Sequence, residues 1–361
     1  MSALRPKSGI LEISAYVGGK SGDGTSNVIK LSSNENPLGA SPKAIAAYRD
    51  VAGALQLYPD GGAVTLREAI GARYDLDPAR LVCGAGSDEL LALLVRAYAG
   101  PGDEVLYSAH GFMMYRISTL AAGATPVTAP ERLLTTDVDA MLAAVTTRTR
   151  IVFVANPNNP TGSYISDAEM RRLHAGLPED VLLVIDAAYA EYVRRADYGD
   201  GNALVDEAAN VVTTRTFSKI HGLAGLRLGW MYAQPEVVDV INRTRGPFNV
   251  GSPSLAAGVA AIGDVEHEAR SVEHNDRWLV WLSQELTESG LVVHPSVGNF
   301  LLVTFPEEEG QDAAAASRYL ESQGILARAM DGYGLGHSLR ITIGTESDNR
   351  AVAKALAEFV R

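Results

Sequence analysis

The stretch Val181-Leu182-Leu183-Val184-Ile185-Asp186 decides the fold. Five apolar residues in a row, without polar alternation and ending on a carboxylate, read as a short strand buried on both faces. Strands of that kind belong to a parallel sheet covered by helices. The pattern around it agrees: helices are expected over 65–74, 88–99, 115–122 and 166–175, interleaved with strands over 81–83, 104–107, 151–155 and 211–214. The alternation predicts an α/β fold whose large part is a mostly parallel central sheet.

Beyond about residue 260 the pattern changes to a smaller α+β domain. A long helix over 268–289 is followed by strands 291–294 and 299–305, a helix 313–322, strands 325–328 and 338–343, and a closing helix 348–360. The first forty residues, rich in glycine, serine, asparagine and proline, read as an arm lying against something else. The expected division is an arm over 1–42, a large domain over 43–262 and a small domain over 263–361.

Composition narrows the function. A length of 361 residues is enough for about two domains, and 47% hydrophobic with 20% charged residues is ordinary for a globular chain. Lysine and arginine number 31 against 43 aspartates and glutamates, a net charge of −12 that works against nucleic acid or an anionic membrane as partner. Any anionic ligand must then be held by local groups. Cys83 is the single cysteine, residues 1–20 contain no apolar core with a cleavage site, and the nearly uncharged stretch 255–263 is far short of the ~18 apolar residues of a membrane span. A cytoplasmic protein is the expectation.

Three motif fragments fail on spacing. Gly19-Lys20-Ser21 resembles the end of a phosphate-binding loop, but Ser14 stands where glycine is needed. Gly84-Ala85-Gly86 lacks the third glycine of a dinucleotide fingerprint, that position being Glu89. His267-Glu268 has Ser271 where a zinc-binding helix needs histidine.

Four segments at strand ends carry groups that packing does not explain. Gly84-Ala85-Gly86-Ser87-Asp88-Glu89 precedes a helix with the apolar face Leu90, Leu91, Leu94, Val95 and Tyr98. Its glycines and free helix N–H groups suit a phosphate, and a plain helix cap with Ser87 as N-cap is the alternative. Asn156-Pro157-Asn158-Asn159-Pro160-Thr161-Gly162 places amides on a turn stiffened by two prolines. Asp186 follows five apolar residues, so its charge is expected to need a cationic partner; Tyr189 lies three residues on. The segment from Thr216 to Arg227 gathers hydroxyls, glycines, Lys219 and Arg227, and a lysine so placed can be activated as a Schiff-base nucleophile.

Taken in order, these segments resemble the fold type I pyridoxal-phosphate aminotransferases, and within them the histidinol-phosphate aminotransferase family. The resemblance runs from Ser33-Asn34-Glu35-Asn36-Pro37 through Leu57-Tyr58-Pro59-Asp60, Asn159-Pro160-Thr161-Gly162, Asp186 with Tyr189 and Ser218-Lys219 to Leu339-Arg340-Ile341-Thr342-Ile343-Gly344-Thr345. It covers nearly the whole chain.

The resemblance implies pyridoxal 5′-phosphate as cofactor, Schiff-base attachment at Lys219, Asp186 on the ring nitrogen, and Asn159 and Tyr189 on the phenolic oxygen. Phe112 corresponds to the aromatic residue that stacks on the ring. The phosphate falls to Gly86, Ser87, Asp88, Ser218 and Arg227, with Tyr58 reaching over from the partner in a homodimer. Arg340 and Arg328 correspond to the substrate's anion clamp, and Tyr16 and Asn34 to further substrate contacts. The arm is implied to pack on the small domain and the partner subunit. Three positions depart from the family pattern: Ala187 stands where many members have glutamate after the aspartate, His110 replaces a common proline and His221 a frequent tyrosine.

The implied reaction is ping-pong transamination between histidinol phosphate and 2-oxoglutarate, giving imidazole-acetol phosphate and glutamate, a step of histidine biosynthesis. An aromatic amino-acid aminotransferase and a threonine-phosphate decarboxylase-like enzyme are the alternatives. A non-catalytic regulator of the same fold would carry a basic DNA-binding module, which this sequence lacks.

Overall fold

Seven strands build the central sheet: β1 (Leu81–Gly84), β2 (Glu104–Ser108), β3 (Thr125–Ala129), β4 (Thr149–Ala155), β5 (Leu182–Asp186), β6 (Val211–Thr216) and β7 (Gly229–Ala233). The computed structural model describes residues 6–15, 18 and 28–361. The spatial order is β1-β7-β6-β5-β4-β2-β3. All pairings are parallel except those of β7, which runs antiparallel to both β1 and β6.

Strand side chains alternate between two cores. In β5, Leu183 and Ile185 enter one cluster while Leu182 and Val184 enter the other. Burial of both faces is why these strands are continuously apolar in sequence. β3 and β7 escape the sequence reading. β3 carries Pro126, which a sheet tolerates because this strand lies at its edge. β7 follows a glycine-rich loop that hides its start.

The helix Ser87–Tyr98 buries Leu90, Leu91, Leu94 and Val95 completely. At about 1.5–3 kcal/mol for each such side chain, this face ties the helix firmly to the sheet. Its N-terminus is thereby set at the carboxyl end of β1.

A second, antiparallel sheet contains β8 (Val292–Val293), β9 (Phe300–Thr304), β10 (Arg328–Ala329) and β11 (Ser338–Thr342), ordered β8-β9-β11-β10. It packs with Trp278, Leu282 and Leu286 of the long helix Val265–Glu288 and Leu356 of the closing helix Glu346–Phe359. The single strand expected over 325–328 is two. Ile325–Leu326 pairs in parallel with Ile29–Lys30, whereas Arg328–Ala329 joins β11. Leu31 continues from that pairing into the core of the second sheet.

Candidate active site

The carboxyl ends of β1, β4, β5 and β6 open on one cavity of about 250 Å³, which is also lined by residues 32–35 and by the second sheet. Asp186 closes β5 at its floor and is 5% exposed. Its oxygens accept hydrogen bonds from the Tyr115 hydroxyl at 2.9 Å and the Thr214 hydroxyl at 3.2 Å. Burial pushes its carboxyl up to about 6, and these hydroxyls, with Lys219, pull it back. The cationic partner expected for it is not supplied among the described residues, whose ion pairs do not include Asp186. A buried carboxylate lining a cavity, held by neutral donors alone, suits a ligand that brings a cationic N–H.

Lys219 lies beyond the end of β6, its Nζ 5.6 Å from the centre of the Tyr189 ring and donating to the Ser33 carbonyl at 3.2 Å. Burial, aided by the Arg340 charge, lowers its ammonium to about 8. An amine in that range is partly neutral near pH 7 to 8 and can act as nucleophile and as proton carrier.

The first segment forms an anion cradle. Gly86, not Ser87, is the N-cap: it adopts φ +84°, no side-chain hydrogen bond caps the helix among the described residues, and Ser87 begins the first turn. The helix N-terminus is therefore left for an external acceptor. Arg227 stands over it, donating to the Ser218 hydroxyl at 3.1 Å and to Asp88 at 3.1 Å. A Cβ at Gly86 would sit 2.4 Å from an Arg227 guanidinium nitrogen, so the close approach requires glycine. Uncapped N–H groups, a hydroxyl and a guanidinium fit a phosphate.

Opposite this cradle, Arg340 on β11 is 6% exposed and donates to the Asn159 side-chain oxygen and, at 2.9 Å, to the Ser32 carbonyl. Arg328 lines the same wall, paired across the ladder with Arg340. With its oxygen engaged, Asn159 turns its NH₂ donor to a ligand. Asn34, fully buried at φ +54°, donates to the Tyr189 hydroxyl at 2.9 Å, so Tyr189 keeps its own proton to donate. Burial pushes that phenol up to about 12.

Phe112 lines the cavity. Tyr58 does not: it is 81% exposed, stacked on Phe248 at 4.6 Å between ring centres. Tyr16 lies outside the described residues. His110 pairs with Glu131 at 2.8 Å and His221 is buried against Phe217, where burial depresses its imidazole to about 4; neither lines the cavity. The sequence reading missed Ser32, Ser33, Glu35, Thr216 and Tyr333 in the lining, and Tyr115 and Thr214 on Asp186. The signal for the threonines was present: hydroxyls in a strand that has to be buried need partners.

A doubly covered, mostly parallel sheet with a cavity-lining lysine, a buried carboxylate and two separated anion sites at its carboxyl edge defines a class of transferase. The description "Aminotransferase class I and II" matches residues 26–356, and the chain belongs to that family. Within it the chain falls among the histidinol-phosphate aminotransferases. It is 60% identical to the histidinol-phosphate aminotransferase of Paramagnetospirillum magneticum, covering 100% of this chain and 99% of that protein. It is 56% identical to that of Rhodospirillum centenum, covering both in full. Among solved structures, the histidinol-phosphate aminotransferase of Sinorhizobium meliloti, in complex with pyridoxal-5′-phosphate, is 28% identical with a TM-score of 0.88, covering 100% of this chain and 98% of that one. Aspartate aminotransferase of Thermus thermophilus shares the fold at a TM-score of 0.82 and 20% identity, over 92% of this chain and 91% of that one.

Proposed function

We propose that the chain is a pyridoxal-phosphate-dependent aminotransferase that moves an amino group between histidinol phosphate and 2-oxoglutarate, giving imidazole-acetol phosphate and glutamate. The observation that carries this reading is a lysine in one cavity with two anion sites, the cradle at Arg227 and the Arg328–Arg340 wall. One site suits the cofactor's phosphate. The other suits the phosphate of the substrate, and in the second half-reaction the carboxylate of 2-oxoglutarate.

When bound, the cofactor supplies a carbonyl carbon that takes up the amino group and a ring that accepts electrons from the substrate's α-carbon. Lys219 would attach it covalently, and its amine, lowered to about 8, would be able to hold and move a proton at the substrate's α-carbon. Asp186 would hold the ring nitrogen, Asn159 and Tyr189 would donate to the phenolic oxygen, and Phe112 would pack against the ring. Gly86, Ser87, Asp88, Ser218 and Arg227 hold the phosphate. Arg340, Arg328, Asn34 and Tyr16 hold the substrate.

The reading includes a homodimer in which Tyr58 enters the partner's site. Leu55, Leu57 and Tyr58 are 71%, 65% and 81% exposed and near-consecutive, an apolar edge that suits burial against a second copy. It also includes an arm over 1–42, a cofactor domain over 43–262 and a small domain over 263–361. That division is supported by the separate apolar cluster around the second sheet. A cytoplasmic setting agrees with the single buried cysteine. Among the described residues, no helix is long and apolar enough to cross a membrane.

Stopped-flow half-reactions test the substrate. Conversion of the bound cofactor to its amine form is expected to be at least about tenfold more efficient with histidinol phosphate than with phenylalanine, since a second arginine offers a dianion a charge-assisted contact. Equal efficiencies would move the assignment to an aromatic amino-acid aminotransferase, and release of carbon dioxide to a decarboxylase.

A further inference from the structure

Asp186 is held by two hydroxyls, one on each oxygen: Tyr115 on Oδ2 and Thr214 on Oδ1. The Tyr115 hydroxyl donates to the carboxylate at 2.9 Å, so its proton points at Asp186. Its phenol stays neutral, because burial and then the Asp186 charge push it well above its ordinary value. A hydroxyl on each oxygen leaves each with a further acceptor site for a cationic N–H.

Tyr115 cannot swing away. It is 1% exposed and stacks on Phe153 of β4 with ring centres 4.5 Å apart and planes 2° from parallel. Gly111 packs so closely that a Cβ there would come within 3.3 Å of its ring. Its opposite relationship is to the cavity: Phe112 stands edge-on to it at 5.9 Å and 89°. One side chain thus contacts both the residue proposed to hold the ring nitrogen and the one proposed to pack on the ring face.

We propose that Tyr115 is a positioning residue for cofactor chemistry, holding Asp186 as an oriented, deprotonated acceptor for the ring nitrogen. This rests on the reading of the site as a pyridoxal-phosphate site. The groups facing Asp186 are Tyr115 and Thr214, the Asp88 charge, which disfavours its ionisation, and the Lys219 charge, which favours it; Tyr189 and Tyr198 face it as neutral phenols. Loss of the Tyr115 hydroxyl removes the hydrogen bond that most favours the ionised form, so Asp186 protonates at higher pH and accepts the ring N–H less well.

Tyr115→Phe keeps the stacked ring and removes only the donor. The measurements are cofactor affinity of the cofactor-free enzyme from pH 5 to 8, the pH titration of the bound cofactor's absorbance, and the half-reaction with histidinol phosphate. In the wild type, affinity falls as pH drops through about 6. In Tyr115→Phe that fall begins about one pH unit higher, so affinity is about fivefold weaker near pH 6 and about tenfold weaker near pH 5, while the two proteins converge at pH 8. The half-reaction slows about tenfold at saturation with little change in the substrate concentration it needs.

A Tyr115→Phe variant whose pH course superimposes on that of the wild type overturns the proposal, whatever its stability. If that variant does not fold, Thr214→Val tests the other oxygen: a shift in the same direction supports hydroxyl control of Asp186, and no shift overturns it. A wild-type chain that binds no pyridoxal phosphate would instead overturn the reading of the site, an outcome visible before any variant is compared.

Discussion

The Arg340 guanidinium donates to the side-chain oxygen of Asn159, tying the strand that bears the substrate clamp to the loop that follows β4. The two residues are 181 positions apart, one on the second sheet and the other in a turn beyond the central sheet. The proposed substrate clamp and the proposed cofactor contact are therefore joined by a direct hydrogen bond.

This coupling is measurable. Arg340→Lys keeps the charge but loses the fork that reaches both Asn159 and the Ser32 carbonyl. Its KM for histidinol phosphate is expected to rise at least about tenfold, equivalent to about 1.4 kcal/mol. In a cycle with Asn159→Ala the coupling should be about 0.5–3 kcal/mol, as for residues in direct contact. Strict additivity would show that the hydrogen bond does not join the two functions.

Gly86→Ala tests the anion cradle. The methyl group would lie 2.4 Å from an Arg227 nitrogen at a backbone φ of +84°, so both the arginine and the backbone must shift. Weaker pyridoxal-phosphate binding by at least about tenfold is expected, with the helix Ser87–Tyr98 retained because its apolar face is untouched. Equilibrium titration of cofactor-free protein, with circular dichroism as the folding control, decides it.

Lys219 makes a pH prediction for the cofactor-free chain. Its ammonium is depressed from 10.5 to about 8, first by burial and then by Arg340. Between those values the unfolded chain binds more protons than the folded one, so stability rises with pH across about 8 to 10.5. The cost of the buried charge is fully present below about 8 and gone above 10.5, and amounts to about 3 kcal/mol. Lys219→Met should be the more stable protein at pH 7, with the difference closing as pH rises. Parallel urea curves for the two proteins across that range would refute it.

Away from the cavity, Arg215 and Glu191 form an ion pair at 3.0 Å with side chains 4% and 5% exposed, and Arg215 also packs on the rings of Tyr74 and Trp230. Arg215→Met strands the buried Glu191 and should cost about 3–5 kcal/mol in denaturant unfolding. The double variant Arg215→Met with Glu191→Leu should recover part of that loss, since the buried carboxylate is gone and the remaining partner of Arg215, Asp200, is 34% exposed and reaches water.

The elements were legible where one residue pattern decides them. The helix over 313–322 and the helix ending at Tyr74 follow from local periodicity, and β5 and β4 from unbroken apolar runs. The proline-bearing β3 and the glycine-flanked β7 were not legible, because edge position and antiparallel pairing are properties of the sheet. Ser87 as N-cap is the alternative the sequence offers, but Gly86 takes that place, at a φ of +84° that a side chain rarely adopts.

What the sequence by itself determined is the α/β class, the order of elements and the motif residues of the site, because period, turn residues and short motifs act over a few neighbouring positions. Only the tertiary structure decided what those residues face. Asp186 looked like one half of an ion pair and is held by two hydroxyls; Arg328 and Arg340 became one wall by strand register; Asn34 reached Tyr189 from the start of the chain. Each of these contacts joins positions from 12 to 155 residues apart, and proximity across such separations is set by how the sheets stack.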